Sequence, residues 1–292
     1  MTKPFLYEEA FARNIGWITM AEQAVLRGKR VAIAGMGGVG GEHLLTLTRL
    51  GIARFRIADY DHFDIANLNR QVGASVSTLG RAKAEVLSEL ARDINPELEL
   101  DAWRVAIDAG NVERFLDGVD IYVDGLDFFA FDARAAVFAA CRRLGIPAVT
   151  AAPLGMGTAL LNFLPDAMSF EDYFGWGQLP DDERALRFMV GLAPRLLQDY
   201  LVDTSRVNLA QRFGPSTVMA CQLCAGVAGT EALKILLGRG KVRAAPYGMQ
   251  FDAYRQRMVR THRPGGYRHP MTRLVLAIAR KRLASMKAAA AR

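Results

Sequence analysis

Between positions 35 and 127 the sequence gathers residue types suited to binding and activating phosphate. Gly35-Met36-Gly37-Gly38-Val39-Gly40 fits G-x-G-x-x-G, directly after an apolar β-branched run and ahead of a helix-forming segment. Glycines in that setting let the backbone turn sharply and approach phosphate oxygens, which the amide hydrogens of a helix N-terminus then meet. Asp59 ends the next strand, 19 residues beyond Gly40, where a carboxylate can accept hydrogen bonds from a ribose. Glycines also serve close helix–strand packing, but strand, helix and acid in register point to a nucleotide without choosing which one.

The next loop narrows the choice. A dehydrogenase needs little beyond the ribose acid, yet Asp59-Tyr60-Asp61-His62-Phe63-Asp64-Ile65-Ala66-Asn67-Leu68-Asn69-Arg70-Gln71 adds Asn67, Arg70 and Gln71, and Gly80-Arg81-Ala82-Lys83 follows at a helix start. Arg70 and Lys83 can neutralise a triphosphate, the guanidinium as a bidentate fork and the ammonium as a point charge. At a third strand end stands Asp124-Gly125-Leu126-Asp127. A carboxylate there, facing two cations and a phosphate loop, would hold Mg²⁺. Asp124 reads as a structural strand-end acid, and the four scattered histidines are assigned no chemistry.

The elements that must position these groups alternate strand and helix. Lys29–Ala34, Arg54–Ala58, Glu97–Trp103, Val119–Val123 and Ala148–Ala152 read as strands, and Gly38–Leu50, Gly80–Ile94 and Phe131–Leu144 as helices. This predicts an α/β fold: a doubly wound, Rossmann-like, mostly parallel sheet with additional C-terminal strands and helices. Thr158–Phe163 is a further strand, and Pro165–Pro215 is loop-rich with a helical patch near Asp182–Met189. Ser216–Leu237 is one long helix capped by Ser216, Tyr247–Val259 has strand character, and Met271–Ala289 is a basic helix. Its Leu274, Val275, Ile278, Leu283 and Met286 are expected to pack on the body or on a partner. The domain reading is one unit over 1–270, with a nucleotide-binding half near 28–153 and a substrate-side half near 154–260, and then the basic helix 271–292.

With 292 residues, 51% hydrophobic and 23% charged, the composition excludes general disorder. Three cysteines cannot build a disulfide framework, and Cys221-x-x-Cys224 supplies only half of a four-cysteine zinc site, so no zinc site is expected. The start, MTKPFLYEEAFARN, lacks the order of a secretory signal. The uncharged stretch Leu144–Pro165 is broken by Gly145, Pro147, Pro153, Gly155 and Gly157, which reads as buried strands in a soluble, cytoplasmic protein. The net charge of +7 is local: 11 Lys and Arg and no acid follow Asp252, whereas residues 1–252 carry 26 basic against 30 acidic groups. The main domain is therefore not expected to bind nucleic acid. The basic helix could instead meet an anionic membrane or acidic partner, although packing with a solvated basic face is favoured.

Taken together, V-x-I-x-G-x-G-G-x-G, D-x-D at Asp59 and Asp61, N-L-N-R-Q, G-x-x-K and D-x-x-D resemble the ThiF/MoeB/HesA family, bacterial relatives of ubiquitin-activating enzymes. The likeness runs over roughly residues 7–160 and resumes at Val218–Gly238, which ends in E-A-x-K-x-L-x-G. It implies an enzyme, an ATP- and Mg²⁺-dependent adenylyltransferase working as a homodimer, in which a substrate carboxylate attacks the α-phosphate, pyrophosphate leaves and an acyl-adenylate forms. Carried over by position, Gly35, Gly37, Gly38 and Gly40 cradle ATP, Asp59 holds the ribose with Asp61 beside it, and Asn67, Arg70, Gln71 and Lys83 line the phosphates. Asp127 takes the metal-linked catalytic role, with Arg70 and Lys83 also catalytic, and Arg13 resembles an arginine that reaches the partner subunit's ATP.

The chain departs from the family pattern in three ways. Zinc cysteine pairs are absent from their expected places, no cysteine lies between Phe163 and Ser216 to form a thioester, and Phe128 follows Asp127 where Asn is usual, with the nearest arginine at Arg134, seven residues on, where the family often has one five residues on. Cys221 and Cys224 are expected to be buried structural thiols. Met168–Gly177 is expected to be a packed loop, the alternative being a lid or pocket wall for the acyl group. The substrate is either the C-terminus of a ubiquitin-like or sulfur-carrier protein or a smaller peptide or metabolite carboxylate. Two rivals stand beside this reading: an NAD-dependent oxidoreductase, and a catalytically silent binding subunit.

Overall fold

A computed structural model describes residues 4–203, 206–207 and 214–290, with side chains described as far as Lys281. Helix α1 (Tyr7–Ala10), a 3-10 turn at Ala12–Asn14 and α2 (Met20–Gly28) precede the sheet. The first four strands and their helices follow as β1 (Arg30–Ala34), α3 (Gly38–Arg49), β2 (Arg54–Ala58), α4 (Lys83–Ile94), β3 (Glu99–Trp103), α5 (Val112–Leu116), β4 (Ile121–Asp124) and α6 (Phe131–Arg143). Next come β5 (Ala148–Leu154), β6 (Gly157–Phe163), α7 (Phe170–Phe174), α8 (Asp181–Leu192), α9 (Val218–Leu236), β7 (Tyr247–Asp252), β8 (Arg257–His262) and α10 (Pro270–Ala290).

The strands form one sheet in the order β3-β2-β1-β4-β5-β6-β7-β8. The pairings from β3 across to β5 are parallel, and β5–β6, β6–β7 and β7–β8 are antiparallel. Period-two alternation explains why helices cover both faces. Val31, Ile33, Phe55, Ile57, Ile121 and Val123 point to a core shared with α3, α4 and α9, while Ala32, Ala34 and Tyr122 point to another built with α5 to α8. The doubly wound fold expected from the strand–helix alternation is the fold observed.

Several local expectations shift. The stretch Tyr247–Val259 is a hairpin of two strands, turning at residues 253–256. Helix α4 begins at Lys83 rather than Gly80, because Gly80 has φ +79 and breaks the run. Helix α9 is capped by the Thr217 side chain, which accepts from the Ala220 amide, and not by Ser216. The face of α10 that turns inward carries Thr272 and Leu276, which packs with Leu186 and Val190 of α8, whereas Leu274 and Ile278 stay exposed. Arg280 donates to Glu183 of α8 and fixes that rotation, which hydropathy alone could not choose. The side chains of Leu283 and Met286 lie outside the described residues.

Met168–Gly177 contains helix α7, and Phe170, Tyr173, Phe174 and Trp176 are all buried beneath it. Phe170 stacks near Phe138 at 4.6 Å and Trp176 meets Phe131 edge-on at 5.3 Å. These rings fill the core, in keeping with the packed reading.

Candidate nucleotide site

Strands β1 and β4 are neighbours, but the chain leaves β1 towards β2 on one side and reaches β4 on the other. Their carboxyl ends therefore open a crevice at the topological switch point, where α/β sheets place ligands. The loop after β1 and the loop after β4 meet there with no spare room. A Cβ on Gly35 would lie 2.2 Å from the Gly125 carbonyl oxygen, and Gly35 also has φ +86. A Cβ on Gly40 would lie 1.8 Å from the Gly35 carbonyl oxygen. The two loops are sterically interlocked, and only glycine permits the approach. Gly37 caps α3 without a side chain, so the first-turn amides of α3 face the crevice.

Asp59 stitches the cradle together. One carboxylate oxygen accepts from the Met36 amide at 2.6 Å and the other from the Asp61 amide at 2.7 Å. Burial raises its pKa, opposed by these amides and by Lys83. Each oxygen keeps a lone pair for a ribose hydroxyl. Lys83 is buried to 6% exposure, and its Nζ lies 3.0 Å from the Asp61 carboxylate. The cation foreseen as a phosphate ligand is thus held in place by Asp61, the second acid of D-x-D, which is half exposed.

The N-L-N-R-Q segment curls over the start of α3. The Asn67 Oδ1 atom accepts from the Asp64 amide and closes a tight turn, while the Asn67 carbonyl accepts from the amides of Arg70 and Gln71. Arg70 lays its stem 3.7 Å from the position a Gly38 Cβ would take, and its guanidinium donates to Ala66 O and Asn69 Oδ1. Gln71 is buried, lies beside Gly37 and has an Oε1 atom without a partner. A buried unpaired amide oxygen next to a glycine cradle is a group that a ligand donor would satisfy.

Asp127 sits on the β4 loop with its side chain exposed, and its Oδ1 accepts from the Phe129 amide at 3.0 Å. Among the described residues no three His, Cys, Asp or Glu side chains gather as metal ligands. A cation at Asp127 would complete its shell with phosphate oxygens and water, which is how Mg²⁺ is ordinarily held beside nucleotides. Asp124 is buried and structural, as read: it accepts from Arg134, Thr150 and Tyr122.

Arg13 is the foreseen residue that the fold does not bring to the site. Its segment is anchored at the other end of α3, where Asn14 donates to the Arg49 carbonyl and Tyr7 to Gly51. A helix rise of about 1.5 Å per residue puts that end some 17 Å from the glycine loop. Cys221 and Cys224 are buried, free thiols in α9 whose pKa values burial pushes up. Cys221 was not foreseen at the site, yet its sulfur would lie 2.9 Å from a Gly38 Cβ. Arg134, noted only as the nearest arginine after Asp127, was given no role at the site. Its signal was present, since it falls on the apolar stripe of α6 with Phe131, Phe138 and Cys141, where a charge needs a buried partner.

Fold and site together define a Rossmann-like domain with a phosphate cradle at its switch point. Residues 11–273 match the model of the ThiF family, and the chain belongs to that family. It is 33% identical over 141 residues to the tRNA threonylcarbamoyladenosine dehydratase of Bacillus subtilis (strain 168), covering 48% of this chain and 55% of that protein. It is 28% identical over 148 residues to the sulfur carrier protein ThiS adenylyltransferase of Escherichia coli (strain K12), covering 51% and 58%. The matched stretch thus spans little more than half of either relative. Among solved structures, the E. coli tRNA N6-threonylcarbamoyladenosine dehydratase TcdA in complex with ATP superposes with a TM-score of 0.60 and 25% identity, covering 79% of this chain and 95% of that one.

Proposed function

We propose that this chain is an ATP-dependent adenylyltransferase that converts a substrate carboxylate into an acyl-adenylate. The observation that carries the reading is the pairing of a glycine cradle with Arg70, a seated Lys83 and, on the adjoining strand end, an outward-facing Asp127. A nicotinamide oxidoreductase has no use for that second set. A relative named as an adenylyltransferase and a relative solved with ATP support it.

In this reading the α3 amides and Arg70 hold the triphosphate, and Asp59 orients the ribose. The carboxylate oxygen of the substrate forms a bond to the α-phosphorus as the bond to the pyrophosphate oxygen breaks, and no net proton is transferred. Lys83 and Arg70 stabilise the charge that develops on the phosphoryl oxygens, an effect of position more than of covalent chemistry. Asp127 would hold Mg²⁺, which supplies further neutralisation of the phosphates. Asp61 keeps Lys83 aimed. The acceptor is the C-terminus of a ubiquitin-like or sulfur-carrier protein, or a smaller peptide or metabolite carboxylate.

The same proposal makes the enzyme a homodimer acting in the cytoplasm. Arg13 is exposed, has no hydrogen-bond or ion-pair partner among the described residues and cannot serve its own cradle. Trp17 and Met20 nearby are 85% and 71% exposed, apolar area that a second copy would cover.

The test is ATP–pyrophosphate exchange with Mg²⁺ across a panel of carrier proteins and small carboxylates. Exchange with one carboxylate that disappears in Asp127→Ala and Arg70→Ala is the expected outcome. Tighter binding of NAD than of ATP would overturn the reading.

A further inference from the structure

Beneath Asp127 lies a buried guanidinium that the reaction scheme above does not use. Arg134 is only 2% exposed, although it belongs to a residue type that seldom leaves water. Its Nε donates to Asp124 Oδ2 at 2.9 Å, which gives it a counter-charge. Its other three hydrogen bonds go to main chain. Nη2 donates to the carbonyl oxygens of Leu126 at 2.7 Å and Asp127 at 3.0 Å, and Nη1 to that of Phe128 at 3.3 Å. The Phe188 ring lies 4.7 Å from the guanidinium carbon and closes the remaining side.

Three consecutive carbonyls turned towards one buried cation fix the peptide planes of the loop. With the carbonyls facing in, the Asp127 side chain faces out, and the Phe129 amide is free to donate to its Oδ1. The anchor is itself fastened, because the same Asp124 carboxylate accepts from Thr150 Oγ1 at 2.9 Å and Tyr122 OH at 3.1 Å. The loop then meets the cradle rigidly through Gly35 and Gly125.

We infer that Arg134 is a positioning residue for nucleotide activation: it holds the Leu126–Phe128 backbone so that the Asp127 carboxylate meets a divalent cation and the phosphates above the glycine loop. This rests on the proposed metal-linked role of Asp127. A salt bridge to Asp124 alone would be satisfied by lysine, whereas the three-carbonyl clamp needs the planar fork. Groups that orient a metal's ligands commonly change metal affinity when altered, by roughly 10–100-fold.

The experiment compares wild type, Arg134→Lys and Asp127→Asn by calorimetric titration of ATP with and without Mg²⁺, together with hydrogen exchange of the amides at 128–131. Wild type is expected to bind ATP more tightly with Mg²⁺, and Asp127→Asn to lose that gain. Arg134→Lys should keep Mg²⁺-free ATP affinity within about threefold and lose the Mg²⁺-dependent gain by roughly 10–100-fold. Exchange at Phe129 and Ala130 should speed up with it. If Arg134→Lys lowers thermal stability but leaves the Mg²⁺ gain intact, the residue is merely structural and the inference fails. If wild type itself shows no Mg²⁺ gain, the role of Asp127 fails first, and the inference with it. Should Arg134→Lys not fold, Thr150→Val decides, since it loosens Asp124 while leaving the fork: a reduced Mg²⁺ gain supports the clamp and an unchanged one overturns it.

Discussion

The parallel and antiparallel parts of the sheet are built on opposite terms. At the carboxyl ends of β1, β2 and β4 the polar groups are numerous and tightly ordered: Asp59 on two amides, Lys83 on Asp61, Asp124 on Arg134. Beneath β5 and β6 the chain spends its residues on rings, with Phe163, Phe170, Phe174, Trp176 and Phe188 all buried against one another. One region holds charge in place and the other supplies apolar burial. They touch where Phe188 lies over the Arg134 guanidinium. The contrast teaches that precision at the site and stability of the fold can be perturbed separately.

The largest effect is expected from Gly40→Ala, whose new Cβ would be 1.8 Å from the Gly35 carbonyl oxygen. It should cost more than about 4 kcal/mol and abolish ATP binding together with it, measured by chemical denaturation and titration. Retained ATP binding would show that the close approach of α3 to Gly35 is not needed for the cradle. Phe174→Ala should cost about 3–5 kcal/mol through transfer and cavity terms, yet leave the ATP affinity of the folded fraction unchanged. A large affinity loss would mean the two regions are not separable.

The pH dependence of stability probes the polar side. Burial lowers the pKa of His43 from 6.5 to about 4, against the attraction of Asp124, and neither ring nitrogen has a partner. Between these values the unfolded chain binds a proton that the folded chain refuses, so stability falls as pH drops from 7 towards 4. The loss is roughly 3 kcal/mol, and His43→Leu should flatten that slope. An unchanged slope in the variant would place the acid sensitivity elsewhere. The smallest effect reverses the Phe174 result: Lys83→Met should weaken ATP binding by about 2 kcal/mol, roughly 30-fold, with little loss of stability. Little stability should be lost because an apolar side chain of similar length fills the site and Asp61 is half exposed. A fall in stability comparable to that of Phe174→Ala would mean that the Lys83–Asp61 pair supports the fold.

Much of this was legible in one dimension. Short, largely apolar runs placed β1, β2 and β4 within a residue or two, because strand burial on both faces is a local pattern. The glycines, Asp59, Arg70 and Lys83 stood out because spacing from a strand end determines which residues reach a crevice. Helices α1, α2, α5 and α7 were missed, three of them only four or five residues long.

By itself the sequence determined the type and order of the central elements, the glycine cradle and the stock of cations, since these follow from periodicity and steric rules acting over a few residues. Only the tertiary structure decided who pairs with whom. It seated Lys83 on Asp61, placed Cys221 against Gly38, turned Leu276 rather than Leu274 inward and left Arg13 at the far end of α3. It also aimed Arg134 at three carbonyls of the neighbouring loop. Such contacts join segments whose separation is set by the packing of helices on the sheet. A buried charge shows in sequence only that it needs partners, and the fold chooses them.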